Sequence, residues 1–265
     1  MSDSTLAIGS QIHLGHSMIT FIEPHRGEGL HEYNRWYEHD HAYAAMTAAP
    51  GCFAYRRYVA TRRLKDLRFP ADGVVADPVD NGSFIALYWM EQGRDADTFA
   101  YSFAVGPDLF ATGRMNPNRD HISTAAYDLA GSAGRGPAPI PPEIALDHPY
   151  AGMVVAWIRG EDTDSVLASA AALRAERDPE LLAEDSPIGQ IIDFVQVSKE
   201  GGLPPLTGEH PEVLRLYFCD QDPEDCWDAF TTLADDVAAQ GARLELLAPF
   251  IPTIPGTTQY LDELW

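Results

Sequence analysis

The amino-acid sequence predicts an α+β fold built from two tandem βαββαβ repeats. Three observations carry the prediction. One order of apolar runs and helical segments occurs twice, a glycine- and proline-rich stretch separates the two occurrences, and the strand runs are apolar enough to need cover. A sheet with two helices on one face leaves its other face bare, and two such units in one chain can cover each other by stacking. The expected architecture is a tandem α+β barrel with a cavity between its two sheets.

In the first repeat, residues 16–23 (HSMITFIE) form a short, β-branched strand run. The turn-rich Pro24-His25-Arg26-Gly27 then leads into a helix over about 30–48, stopped by Pro50-Gly51. Residues 52–61 (CFAYRRYVAT) read as a strand, and a hydrophilic excursion through Pro70 and Asn81-Gly82 leads to 84–90 (FIALYWM). A helix over 95–112 and a weaker strand over 121–129 complete the unit. Residues 131–150, with Gly134, Gly136, Pro137, Pro139, Pro141 and Pro142, sustain neither a helix nor a central strand and read as a linker.

The rhythm then restarts with strand 152–159 (GMVVAWIR), an alanine-rich helix over 164–177 and strand 191–198 (IIDFVQVS). Strand 212–219 (EVLRLYFC) follows, then a helix over 223–240 with Pro223 in its first turn and Gly241 as its C-cap, and last strand 244–251. Each unit matches the ferredoxin-like pattern, giving repeats at 1–130 and 151–265 around the linker.

Composition narrows the function classes. A formal net charge of -22, from 40 acidic and 18 basic residues, sets up a field that repels phosphate backbones and anionic lipid, so nucleic acid and membranes are not expected partners. The start, Met1-Ser2-Asp3-Ser4-Thr5, has no basic, apolar leader, and no segment reaches the roughly 20 apolar residues needed to span a bilayer, so a cytoplasmic location is expected. Cys52, Cys219 and Cys226 match no zinc spacing and have no evident basic neighbour, so they read as packing thiols. No metal site is expected, and no phosphate-binding turn, G-x-S-x-G or H-E-x-x-H pattern occurs.

The densest chemistry lies in Tyr33-Asn34-Arg35-Trp36-Tyr37-Glu38 with His41, followed by Ala49-Pro50-Gly51 and Ala54-Tyr55-Arg56-Arg57-Tyr58. This run resembles the EthD-like branch of the dimeric α+β barrel superfamily, in which a W-Y-x-x-x-H helix ends at P-G and feeds a strand rich in arginine and aromatics. The match covers residues 17–58 clearly, and the second half only by element order. The resemblance implies a small-molecule pocket between that helix and the sheet. It also implies kinship with cofactor-free isomerases, lyases and cyclases, and with haem-handling and oxygen-using branches. The additional His39 and the linked second repeat depart from that pattern.

On a regular helix, Asn34, Tyr37, His41 and Ala45 share one stripe, while Trp36, His39, Tyr43 and Met46 lie opposite. His39 and His41 therefore diverge and cannot close on one metal. His41 matches the family's helix histidine and is the candidate proton shuttle, with Tyr37 donating to an oxyanion and Asn34 orienting the ring or the substrate. The alternative for His41 is a capping role at the helix end. Trp36 is either a packing anchor or a ligand platform, and His39 is a second contact with substrate.

Arg56 and Arg57 alternate across their strand, so one of them, Arg57 as the candidate, faces the substrate side. Tyr88 and Trp89 alternate likewise, with Tyr88 taken as the cavity residue, and His121 follows a turn-rich loop from which it can reach a ligand.

The leading expectation is an enzyme that needs no cofactor and performs isomerisation, dehydration or cyclisation on a small hydrophobic carbonyl or polyphenolic metabolite. Haem-linked chemistry, with a histidine on iron, is the second reading, and a non-catalytic ligand-binding or assembly protein the third. A homodimer is expected through the outer strands.

Overall fold

A computed structural model describes residues 12–197 and 210–265. Strand β1 (Leu14–Pro24) leads to helix α1 (Leu30–Trp36), which continues as two π-helical turns, Tyr37–His41 and Tyr43–Thr47. Strand β2 (Cys52–Val59), the short α2 (Arg62–Lys65), β3 (Phe84–Glu91), α3 (Asp95–Ala111) and β4 (Arg119–Gly134) complete the first repeat. The second holds β5 (Gly152–Arg159), α4 (Thr163–Glu176), α5 (Asp178–Leu181), β6 (Ile188–Val197), β7 (Glu212–Cys219), α6 (Leu233–Ala239) and β8 (Arg243–Pro252). The expected end of the 191–198 strand, at Ser198, lies outside the described residues.

The eight strands close in the order β1-β3-β2-β8-β5-β7-β6-β4. Each repeat keeps the ferredoxin-like order, β4-β1-β3-β2 and β8-β5-β7-β6, with antiparallel pairing throughout. Two seams join them. The β4–β6 seam is long, running from Ala126↔Val197 to Gly134↔Gln190, whereas β2 and β8 pair only at Tyr58↔Pro252 and Val59↔Ile251. The expected tandem α+β barrel is therefore present within one chain.

Two expectations change. The bare faces of the sheets do meet, but rings fill that interior. Phe21 lies 5.2 Å from Trp157 and 5.8 Å from Phe250, and Trp89 lies within 6.5 Å of Phe194 and Phe218. The cavity described below lies instead between the sheet and the helices of the first repeat. Closure also pairs the outer strands β2 and β8, on whose edges a homodimer was expected, with each other, but only over Tyr58↔Pro252 and Val59↔Ile251.

Strand β4 runs on through Gly131, Ser132, Ala133 and Gly134, residues expected in the linker, because their small size admits close neighbours. A Cβ at Gly131 would meet the Arg174 guanidinium at 2.8 Å, and one at Gly134 would meet Pro139 at 2.5 Å. The helix expected over 223–240 is broken into a 3-10 turn, Trp227–Phe230, and α6.

Candidate active site

The π turns decide what the long first-repeat helix presents. The Ala42 amide bonds the Tyr37 carbonyl, and the Ala48 amide bonds the Tyr43 carbonyl. This i→i+5 ladder inserts an extra residue into each turn and brings residues five apart onto one side. Trp36 and His41, expected on opposite faces, consequently stack with ring centroids 4.3 Å apart and planes 20° apart. Met46, also expected on the far side, joins His41, Tyr37 and Ala45 in the cavity wall.

The cavity has a volume of about 310 Å³. Its floor is the helix-covered face of the sheet, with Met18, Thr20 and Ile22 from β1 and Tyr88 from β3. Phe103, Gly106 and Leu109 of α3 form one wall, and Arg119, His121 and Thr124 of β4 another. At the β4 end it opens into a wider surface depression edged by Phe110, Met115, Asn116 and Pro117.

Hydroxyls converge on the floor. The Tyr37 and Tyr88 phenols share a hydrogen bond of 3.0 Å, and the Thr20 hydroxyl lies 3.4 Å from the Tyr37 oxygen. Burial pushes the Tyr88 phenol well above the ordinary tyrosine range, so it stays protonated and can donate. The Tyr55 ring stacks on Tyr88 at 4.9 Å and fixes its orientation.

The imidazoles are held neutral. Burial first, then the Arg119 cation and His121, lowers His41 to about 3, and its sealed Nδ1 has no hydrogen-bond partner. Burial and Arg119 lower His121 to about 4. The Arg119 Nε donates to His121 Nε2 at 3.3 Å, which leaves His121 Nδ1–H to donate to the Thr124 hydroxyl at 2.8 Å.

Of the residues expected at the site, His41, Tyr37, Tyr88 and His121 meet in this cavity. Trp36 stands behind His41, its indole N–H donating to the Arg114 carbonyl at 2.6 Å. Asn34, Arg57 and His39 are elsewhere. The Asn34 amide donates to the Thr257 carbonyl at 3.0 Å, and its oxygen accepts from Arg57 at 2.7 Å. Arg57 is 1% exposed, stacked over Phe84 at 3.8 Å and over the back of Tyr37 at 4.5 Å, and paired with Glu38 at 3.3 Å. It faces the helices as alternation allowed, but the ring of Tyr37 takes the place in the cavity wall. His39 is exposed beside Thr257 and Thr258 on the other side of the helix.

No family model matches the chain, and no curated protein matches it in sequence. Among solved structures it is similar to an anthrone oxidase-like protein, with 12% identity over 91% of this chain and 92% of that one, and a TM-score of 0.52. It is also similar to a mutant chlorite dismutase from Candidatus Nitrospira defluvii in complex with cyanide (9% identity, 100% and 99% coverage, TM-score 0.51). A DypB variant from Rhodococcus jostii RHA1 in complex with heme gives 11% identity, 90% and 93% coverage and a TM-score of 0.48. The chain has the dimeric α+β barrel fold.

In this dimeric α+β barrel, the residue that sequence reasoning missed is Arg119. It lies two positions before His121, on the same side of the strand, and period-two alternation would have found it had the strand been started at 119. The counterpart region of the second repeat is packed with Val154, Ala156, Val166, Ala170, Tyr217 and Phe230. Beneath α4 the buried Arg215 pairs with Asp178 and, at 3.6 Å, with Asp193. Among the described residues no group of three or more His, Cys, Asp and Glu side chains can hold a metal ion, and no helix is long and apolar enough to cross a membrane.

Proposed function

We propose that the first-repeat cavity catalyses proton transfer on a small apolar carbonyl compound without a cofactor, as an isomerase, dehydratase or cyclase acting through an enol. The observation that carries this reading is the meeting of a neutral imidazole, with an unpartnered nitrogen, and a hydrogen-bonded pair of phenols in one apolar chamber. A carbonyl oxygen seated at the Tyr37–Tyr88 pair receives a phenolic hydrogen bond that strengthens as the enolate forms. His41 moves the proton between carbon and oxygen. Its depressed proton affinity makes it a weak base toward solvent, and burial of an enolate beside it restores that affinity in the reacting complex.

The test is solvent deuterium exchange at the acidic carbon of tetralone, an enolisable bicyclic ketone. The protein should accelerate exchange over buffer, and His41→Gln should remove about 10²-fold of that acceleration. Tetralone that binds and exchanges no faster than in buffer would point to the third reading, a ligand-binding or assembly protein.

Haem-linked chemistry would need a histidine on iron, with His41 and His121 the candidates at the chamber, and their neutral imidazoles are the ligating form. The chamber alone does not hold that group, which would have to extend into the adjoining depression of about 510 Å³. At about 310 Å³ the chamber sits at the lower end of small-molecule pockets, and a tetrapyrrole is larger than such a chamber. A Soret band retained by the purified protein through gel filtration would restore the haem reading.

A further inference from the structure

We propose that Arg119 seats the acid group of the ligand, so that the cavity takes an apolar monocarboxylate whose hydrocarbon body enters the chamber. The inference rests on the proposed function only in taking the same cavity as the site, and it names a substrate class and a recognition residue.

Arg119 lies at the junction between the chamber and the surface depression that opens it. Its guanidinium is held in place on three sides. It lies 4.8 Å from the centre of the Trp36 ring, its Nε bonds His121 at 3.3 Å, and its Nη1 donates to the Asn116 carbonyl. Nη2 makes no hydrogen bond among the described residues. A fixed guanidinium with a free edge loses little freedom when an oxyanion arrives, which is the condition for strong charge-assisted binding.

At this cavity the arginine stands without a paired carboxylate. Arg62, Arg63, Arg94, Arg114, Arg135, Arg174, Arg177 and Arg243 pair with acidic side chains, whereas Arg26, Arg35, Arg56, Arg68 and Arg119 make no ion pair among the described residues, and of these five Arg119 is the one that lines the chamber and the depression. No acidic side chain lines the chamber or the depression. The nearby carboxylates are engaged elsewhere, Asp40 by Arg114 and Asp120 by His25 at 3.2 Å. A ligand oxyanion at the free edge would balance this cation.

The rest of the cavity sets the ligand's shape. Met18, Ile22, Met46, Phe103 and Leu109 offer apolar surface, and the volume admits one or two rings or a short chain. His121 accepts from Arg119 through Nε2 and so presents no positive charge to compete for the anion. An acid group on Arg119 also offsets the cation that disfavours protonation of His41 and His121. Ligand seating is thereby coupled to the proton affinity of the shuttle.

The experiment compares naphthoate with naphthamide, which share a ring system and differ in charge, by titration calorimetry near neutral pH. Naphthoate should bind at least about tenfold more tightly than the amide. Arg119→Gln should abolish that preference while leaving the amide's affinity within about threefold, and Arg119→Lys should keep part of it. In the naphthoate complex of the unaltered protein, the His41 imidazole should titrate at higher pH by nuclear magnetic resonance than in the amide complex. Equal affinity for acid and amide, or a preference that survives in Arg119→Gln, would overturn the proposal, as would failure of both probes to bind. Tetralone exchange that persists in the first two cases leaves the proton-transfer reading standing and removes only the substrate class.

Discussion

His41 owes its place in the cavity to the i→i+5 turn that carries it, and its chemistry to what surrounds it there. The ring is stacked on Trp36, edge-on to Tyr37 at 5.4 Å, and within the field of Arg119. If it carries the proton, His41→Gln should lower turnover by about 10²-fold or more and change the affinity of a bound product analogue by only a few-fold, since the loss falls on the transition state. Tyr37→Phe should lower turnover by about tenfold or more through loss of one oxyanion donor. His39→Ala should leave both quantities unchanged, because that side chain is exposed away from the cavity. Steady-state kinetics with ligand titrations checks all three, and full activity in His41→Gln would move the search to His121.

Among the elements, α1, β2 and the C-terminal segment are bound by one buried cluster. Arg57 of β2 bonds Asn34 and Glu38 of the long helix, the Glu38 carboxylate accepts the Gly256 amide at 2.9 Å, and Asn34 reaches Thr257. This cluster fixes the back of Tyr37. Arg57→Met leaves the Glu38 charge buried without its partner, and loss of one member of a buried pair costs about 3–5 kcal/mol. Urea unfolding should show that loss, and the double variant Arg57→Met/Glu38→Leu should recover most of it. An unchanged unfolding midpoint in the single variant would mean that Glu38 is not held as an ion. In the second repeat, burial raises Glu212 to about 7 despite its contact with Arg159 and its hydrogen bond from Tyr127. A carboxyl whose folded value is raised contributes stability below its unfolded value and loses it as pH rises through the folded value. Glu212→Gln should therefore melt higher than the unaltered protein at about pH 8, and the difference should vanish near pH 4.

At the scale of the whole molecule, closure of the barrel makes the repeats interdependent. The interior rings of the first repeat, Phe21 and Trp89, pack on Trp157, Phe250, Phe194 and Phe218 of the second. Each repeat expressed alone exposes that face, so neither should remain a monomer in light scattering. Co-expressed halves should recover one complex of the mass of the whole chain. The repeat boundary we propose stays between the first unit and 151, with the β4 strand extending through Gly134. A homodimer remains a proposal, and besides the sparsely paired edges of β2 and β8 the helix surfaces are open to it, among which Phe110 at the cavity mouth is 76% exposed. Light scattering at the 29.1 kDa monomer mass would exclude it. The buried neutral histidines act on the whole stability curve. Their folded values lie below the unfolded one, so the stability they contribute is present above about pH 6.5 and is lost as pH falls toward 4. His121→Gln should flatten that acid limb in melting experiments.

Much of this architecture was legible in the chain. The runs 152–159 and 212–219 are strands with those same ends, because a strand buried on both faces is predominantly apolar whatever its neighbours, and the charged Glu212 and Arg215 within the second run are buried with partners that the fold supplies. The residues of the helix and strand that meet in the cavity, His41, Tyr37, Tyr88 and His121, were legible for a related reason, since residue type and alternation are local properties. What only the tertiary structure decided depends on pairings far apart in sequence. The π turns, which bring Trp36 onto His41, alter the helical period without a marker in the residue types. The Asn34 and Arg57 side chains were claimed by Thr257 and Glu38, so one face of a helix served the cavity and another served a distant segment. Arg119 acquired its meaning when the fold left its free edge at the mouth of a chamber and engaged the nearby Asp40 with Arg114 and Asp120 with His25. Sequence by itself determined which segments must be buried, because hydrophobic burial is set by each segment's own surface. Contact between segments determined which polar groups were left over for a ligand, because a hydrogen bond needs a partner that only the folded chain supplies.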